Sequence, residues 1–152
     1  MTIGETIQCL NALIRTCRDG ELGYRSAQEA VKNTQLESVF AGYSKQRAEF
    51  VRQLQAEVER LGGEPAETGT VTGALYRGWM DVKSTLSGGS GAAIVASCET
   101  GEDSAVAAFE SVVNLDVSGQ TKALIEKQWN KIKEAHMHML RLKGEQFQKN
   151  QP

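Results

Sequence analysis

Apolar residues recur in alternating steps of four and three along most of this chain, the spacing that gives a helix one oily face. The first run is Ile3, Ile7, Leu10, Ile14, Cys17, Tyr24 and Val31, with Glu21 and Gln28 filling its gaps. Thr2 and Glu5 precede it as T-x-x-E, a pattern in which hydroxyl and carboxylate satisfy two orphan amides at a helix start. This predicts a helix to about residue 32, broken by Asn33-Thr34, where Thr34 and Glu37 offer a second T-x-x-E. Leu36, Phe40, Tyr43, Phe50, Leu54, Val58 and Leu61 mark a second helix, stopped by Gly62-Gly63 with Pro65 just beyond. A shorter run, Leu75, Trp79, Val82 and Leu86, is cut by Ser87-Gly88-Gly89-Ser90-Gly91. A further helix is expected from about Ala92 to Leu115, with Ile94, Cys98, Ala105, Phe109 and Val112 on one face. Ser118 is placed to cap the last helix, which carries Ile125, Trp129, Ile132 and Met139 to about Gln148.

Short links within the first and last pairs of long helices imply two antiparallel hairpins, and the longer link between them contains the short helix. The expectation is an all-α chain: one ferritin-like antiparallel four-helix bundle domain over 1–152, with one crossover connection and an additional short helix. With 40% hydrophobic and 24% charged residues the chain has enough apolar material for a core, which excludes wholesale disorder. Two prolines and 6% aromatics argue against a β-sandwich. A net charge of -2 removes the electrostatic case for nucleic acid or an anionic membrane as partner. No apolar run is long enough to span a bilayer, and the N-terminus has no basic segment followed by an apolar one. The three cysteines, Cys9, Cys17 and Cys98, form no CxxC pair and read as buried thiols in a reducing compartment. Together these point to a cytoplasmic protein.

Polar residues at seam positions are the functional signal. Glu21 lies between Cys17 and Tyr24, Arg47 between Tyr43 and Phe50, Glu102 between Cys98 and Ala105, and His136 between Ile132 and Met139. Glu99 shares a side of its helix with Glu102. A hairpin turn near Asn33 sets Glu21 level with Gln46, and one near Val117 sets Glu99 level with His136. Each long helix is thus expected to send a polar group into the bundle. A buried carboxylate without compensation costs several kcal/mol, so Glu21, Glu99 and Glu102 require positive charge. Three readings stay open: a bound metal suited to carboxylate and imidazole ligands, an internal ion network using Arg47 and Lys133, or partial exposure to water.

Asp19-Gly20-Glu21-Leu22-Gly23-Tyr24, Arg60-Leu61-Gly62-Gly63-Glu64-Pro65, Gly73-Ala74-Leu75-Tyr76-Arg77-Gly78-Trp79-Met80, Cys98-Glu99-Thr100-Gly101-Glu102-Asp103 and Ala135-His136 carry a resemblance over about Ile7 to Leu142. The chain resembles a bacterial family of ferritin-like bundles of unknown function, the Yci-type stress proteins. More distantly it is similar to rubrerythrin-like di-iron proteins, which place Glu, Glu-x-x-His, Glu-x-x-Glu and Glu-x-x-His on four successive helices. That resemblance implies Glu21, Glu49, Glu99, Glu102 and His136 as metal ligands, with iron or manganese as the metal. Lys133 stands where the last motif has Glu, and Gln46-x-x-Glu49 lacks the histidine of the second, which implies a degenerate site.

Among the remaining signals, His136 and His138 point to different sides of one helix, so His138 is expected at the surface. The Gly-Ser stretch lacks the Lys of a phosphate-binding loop and reads as a linker. The Trp79 helix either covers the bundle or joins a partner. The functional expectation is a stress-associated, homodimeric, non-catalytic bundle with a polar ion network at its centre. The alternative is a non-haem iron or manganese protein with a redox-protective role.

Overall fold

The computed structural model describes residues 1–69, 90–117 and 119–149. They form four helices: α1 (Ile3–Ala30), α2 (Thr34–Arg60), α3 (Gly91–Val113) and α4 (Gly119–Lys149). The expected short helix and the Ser118 cap lie outside the described residues.

Local chemistry sets the boundaries. The Thr2 hydroxyl accepts from Glu5 N at 3.0 Å while the Glu5 carboxylate accepts from Thr2 N, also at 3.0 Å, so the first box forms as read. The second does not: Asn33 is the N-cap, its Oδ1 accepting from Leu36 N at 3.0 Å, and Thr34 is already helical. Asparagine outranks threonine as a cap, which explains the one-residue shift. α2 ends where Gly62 adopts φ 87°, a left-handed backbone that glycine takes without a Cβ clash. Ser90 caps α3.

α1 packs against α2 and α3, and α4 packs against the same two. Every neighbouring pair is antiparallel. Thr121 meets Glu57, Gln128 meets Phe50 and His138 meets Tyr43, so α4 runs against α2. Leu10 to Cys17 pack with Ala105 to Val112, whereas Tyr24 to Val31 pack with Ile94 to Cys98, so α3 runs against α1. α2 and α3 therefore run the same way, and the link between them must travel the length of the bundle. Its described start climbs along α1: Asn11 bonds Glu64 O and Ala66 N at 3.0 and 2.8 Å, and Arg18 Nε donates to Glu67 O at 2.8 Å.

The core is divided. One cluster holds Leu13, Ile14, Val51, Leu54, Phe109 and Ile125; the other holds Tyr24, Ala27, Phe40, Ile94 and Met139. In sequence the gap between them falls at Gly20 on α1, Arg47 on α2, Glu102 on α3 and Ala135 on α4, all buried. A polar layer thus lies between two oily ones, with small residues on the two helices that bring no charge to it.

Candidate functional site

Arg47 and Glu102 meet in this layer, both 0% exposed. The pairing is bidentate: Nη1 donates to Oε1 at 2.7 Å and Nη2 to Oε2 at 2.5 Å, matching a planar guanidinium to a planar carboxylate. Tyr24 Oη adds a third bond, donating to Oε2 at 2.8 Å, and its ring lies 5.6 Å from the guanidinium carbon. Arg47 Nε reaches Gln46 Oε1 at 3.4 Å. The guanidinium also needs room beside α1. A Cβ on Gly20 would stand 3.1 Å from Arg47 Nη1 and 3.4 Å from its Cγ, closer than side chains ordinarily pack.

The titration of these groups follows from the same geometry. Burial alone would pull the Arg47 pKa down, but the Glu102 charge and its hydrogen bonds outweigh burial and raise it. Burial, then the Glu102 charge, raises the Tyr24 phenol well above its ordinary range. Cys17 is pushed up to about 12 by burial, with Arg47 opposing and Glu102 reinforcing the shift. Cys98 is raised well above 9.0 by burial and then by Glu102. Burial thus holds the protons of Tyr24, Cys17 and Cys98 beside the Arg47–Glu102 pair.

The five ligand candidates do not converge. Glu102 is in the layer. Glu21 is 7% exposed, but its carboxylate turns along its own helix to Arg18 at 2.5 Å and Arg25 at 3.2 Å, and only its backbone carbonyl meets α2, accepting from Ser44 Oγ. Two arginines on its own helix hold the carboxylate, which is why the seam position misleads here. Glu49 is exposed and paired with Arg52. Glu99 and His136 do lie level, with Oε1 3.2 Å from Nε2, but at the partly exposed α3–α4 seam, near Asp103 at 3.8 Å and Lys143 at 4.0 Å. Lys133, the other expected cation, sits over the Trp129 ring at 3.6 Å. Among the described residues no group of three or more His, Cys, Asp or Glu is arranged to hold a metal ion.

Other polar positions escaped the pattern. Gln128 of α4 is 0% exposed and donates to Phe50 O and Gln53 Oε1. Glu57 is buried and ties the start of α4 to α2 by accepting from Thr121 Oγ1 at 2.5 Å, while Arg60 donates to both its oxygens. His138 is not a free surface residue: its Nδ1 lies 2.7 Å from Tyr43 Oη. The apolar neighbours of Gln128 and the seam position of Tyr43 were the available signals, and neither names a partner.

A family model described as Domain of unknown function (DUF2383) matches residues 5–115. The chain belongs to this family. The DUF2383 match covers α1, α2, the crossover and α3, and so includes Tyr24, Arg47 and Glu102. A search of curated proteins finds no match. No helix among the described residues is long and apolar enough to cross a membrane.

Proposed function

We propose that this DUF2383 chain is a non-catalytic, stress-associated scaffold of ferritin-like topology, in which an internal ion network stands where a di-metal centre would lie. The observation that carries the reading is the Arg47–Glu102 pair, bidentate and wholly buried, with Tyr24 completing the carboxylate's shell. The ferritin-like part rests on the antiparallel hairpins and the bundle-length link between them. The stress association rests on the resemblance to Yci-type proteins.

An iron or manganese centre does not fit these residues. Both Glu102 oxygens are already engaged, and a guanidinium occupies the position a metal would need. A divalent ion there would face a positive charge in a poorly solvated interior, where like charges repel most strongly. The remaining candidates, Glu21, Glu49, Glu99 and His136, are held elsewhere. With no activated nucleophile or poised base in the layer, the function lies in surfaces. Met137 and Leu140, 53% and 39% exposed on α4, support a homodimer, and the reducing-compartment chemistry of three free thiols supports a cytoplasmic setting.

Calorimetric titration of chelator-treated protein with manganous and, without oxygen, ferrous ion tests this. The reading expects no stoichiometric binding and no change in melting temperature at metal excess. Near-stoichiometric uptake that Glu102→Ala abolishes would overturn it.

A further inference from the structure

Outside the buried layer, a second polar chain leads from the interior to the surface. Tyr43 Oη stands 2.7 Å from His138 Nδ1, and the two rings meet edge-on with centroids 5.7 Å apart. On its inner side the Tyr43 ring lies 5.3 Å from that of Tyr24, whose hydroxyl is held by Glu102. Tyr43 and His138 are both half-buried, shielded yet within reach of small solutes.

From this geometry we infer that Tyr43 is a one-electron donor to diffusible radical oxidants, with His138 as the fixed acceptor of its proton. A phenol is a poor donor when its proton has nowhere to go, because the bare phenol cation is a strong acid. A base already hydrogen-bonded to the hydroxyl removes that obstacle. One electron passes from the phenol to the radical oxidant, which becomes its anion. The Tyr43 O–H bond breaks as an N–H bond forms on His138 Nδ1, leaving a neutral phenoxyl and an imidazolium. A soluble enediol reductant reverses the step: it gives one electron to the phenoxyl oxygen, the proton returns from Nδ1, and the enediol releases its own proton to water.

The surroundings agree with these roles. Burial, then Arg141, lowers the His138 pKa against an opposing Glu145, so the imidazole is neutral and able to accept at neutral pH. Burial, then Glu102, raises that of Tyr43, with Arg47 and Arg141 opposing and Glu134 reinforcing, so the phenol keeps its proton until oxidised. Tyr24 is a positioning residue: its ring packs against the donor while its own hydroxyl is committed to Glu102. The inference goes beyond the scaffold reading and needs no metal.

Pulse radiolysis of the chelator-treated full chain with azidyl radical, read by phenoxyl absorption and electron paramagnetic resonance, tests it. Tyr43→Phe is expected to remove the long-lived phenoxyl signal. His138→Gln keeps an acceptor but no base, and should slow phenoxyl formation roughly a hundredfold, the lower end of what a positioned proton acceptor contributes. The wild-type rate should fall on acidification below 6.5, as His138 takes its proton from solvent, and His138→Gln should lose that dependence. Thermal melts establish that each variant is folded. His138 is half-buried at the rim of the bundle and outside its core clusters, so its variant carries the test if Tyr43→Phe does not fold. A phenoxyl signal undiminished in Tyr43→Phe, or a His138→Gln rate equal to wild type with the same pH profile, would overturn the inference.

Discussion

Replacing Glu102 with Gln changes one atom at the bundle's centre and keeps its shape. The Gln amide offers one acceptor oxygen where Glu102 accepts from two guanidinium nitrogens and the Tyr24 hydroxyl, and its NH2 faces donors on whichever side it is placed. Arg47, 0% exposed, is left charged beside a neutral partner. Breaking a buried pair from one side costs about 3–5 kcal/mol. For a domain of this length about 2–4 °C is lost per kcal/mol, so the melting temperature should fall by roughly 10 °C. Urea unfolding followed by circular dichroism should show the midpoint lowered with the slope unchanged. The double variant Arg47→Met/Glu102→Leu removes both desolvation costs and should recover to within roughly 2 kcal/mol of wild type. A single-variant loss under about 1 kcal/mol, the range of exposed pairs, would show that the carboxylate is solvated and refute the reasoning.

Gly20→Ala gains helix propensity but drives a methyl to 3.1 Å from the Arg47 guanidinium, which two hydrogen bonds hold in place. The clash should win, for a net loss of about 1 kcal/mol by urea unfolding, against a gain of similar size if the guanidinium yields. Above pH 9.0 stability should decline. Cys17 keeps its proton to about 12 in the folded state but loses it near 9.0 when unfolded, so the folded form binds more protons across that window. The slope is about 1.4 kcal/mol per pH unit for each such thiol, and Cys17→Ala should flatten a denaturation series over that range. A disulfide-exchange reagent should label Cys9, which is half-buried, before Cys17 or Cys98, which should react only on unfolding. Glu57→Ala should cost about 2 kcal/mol by freeing the Thr121 hydroxyl and unpinning the start of α4, seen as faster amide exchange in its first turn.

The four helices were legible because capping and stop signals are local. Thr2 with Glu5 and Gly62 act within one turn of chain, and the apolar steps of three and four repeat often enough to average out the exceptions. Level pairing within the second hairpin was legible too, since counting outward from the turn sets Glu99 beside His136, whereas in the first hairpin the count to Gln46 overshoots by two residues, Glu21 O meeting Ser44 Oγ instead. What the sequence concealed was register across the long link. Arg47 and Glu102 stood in the right seams, but no turn joins α2 to α3, so counting could not bring them together. Seam position also failed to say where a long side chain ends. Glu21 has a buried backbone level and a carboxylate drawn aside by Arg18 and Arg25, and Glu49 points to solvent with Arg52. Helix geometry alone points His138 to the surface and does not give its ring's reach to Tyr43, which leaves it half-buried.

The central claim is that Arg47, and no metal, satisfies Glu102. Crystals grown with excess manganous ion, measured at a wavelength where manganese scatters anomalously, test it at the atom concerned. The account predicts the guanidinium bonded to both Glu102 oxygens and no anomalous peak beside them. A peak within bonding distance of Glu102, with Arg47 displaced, would contradict it.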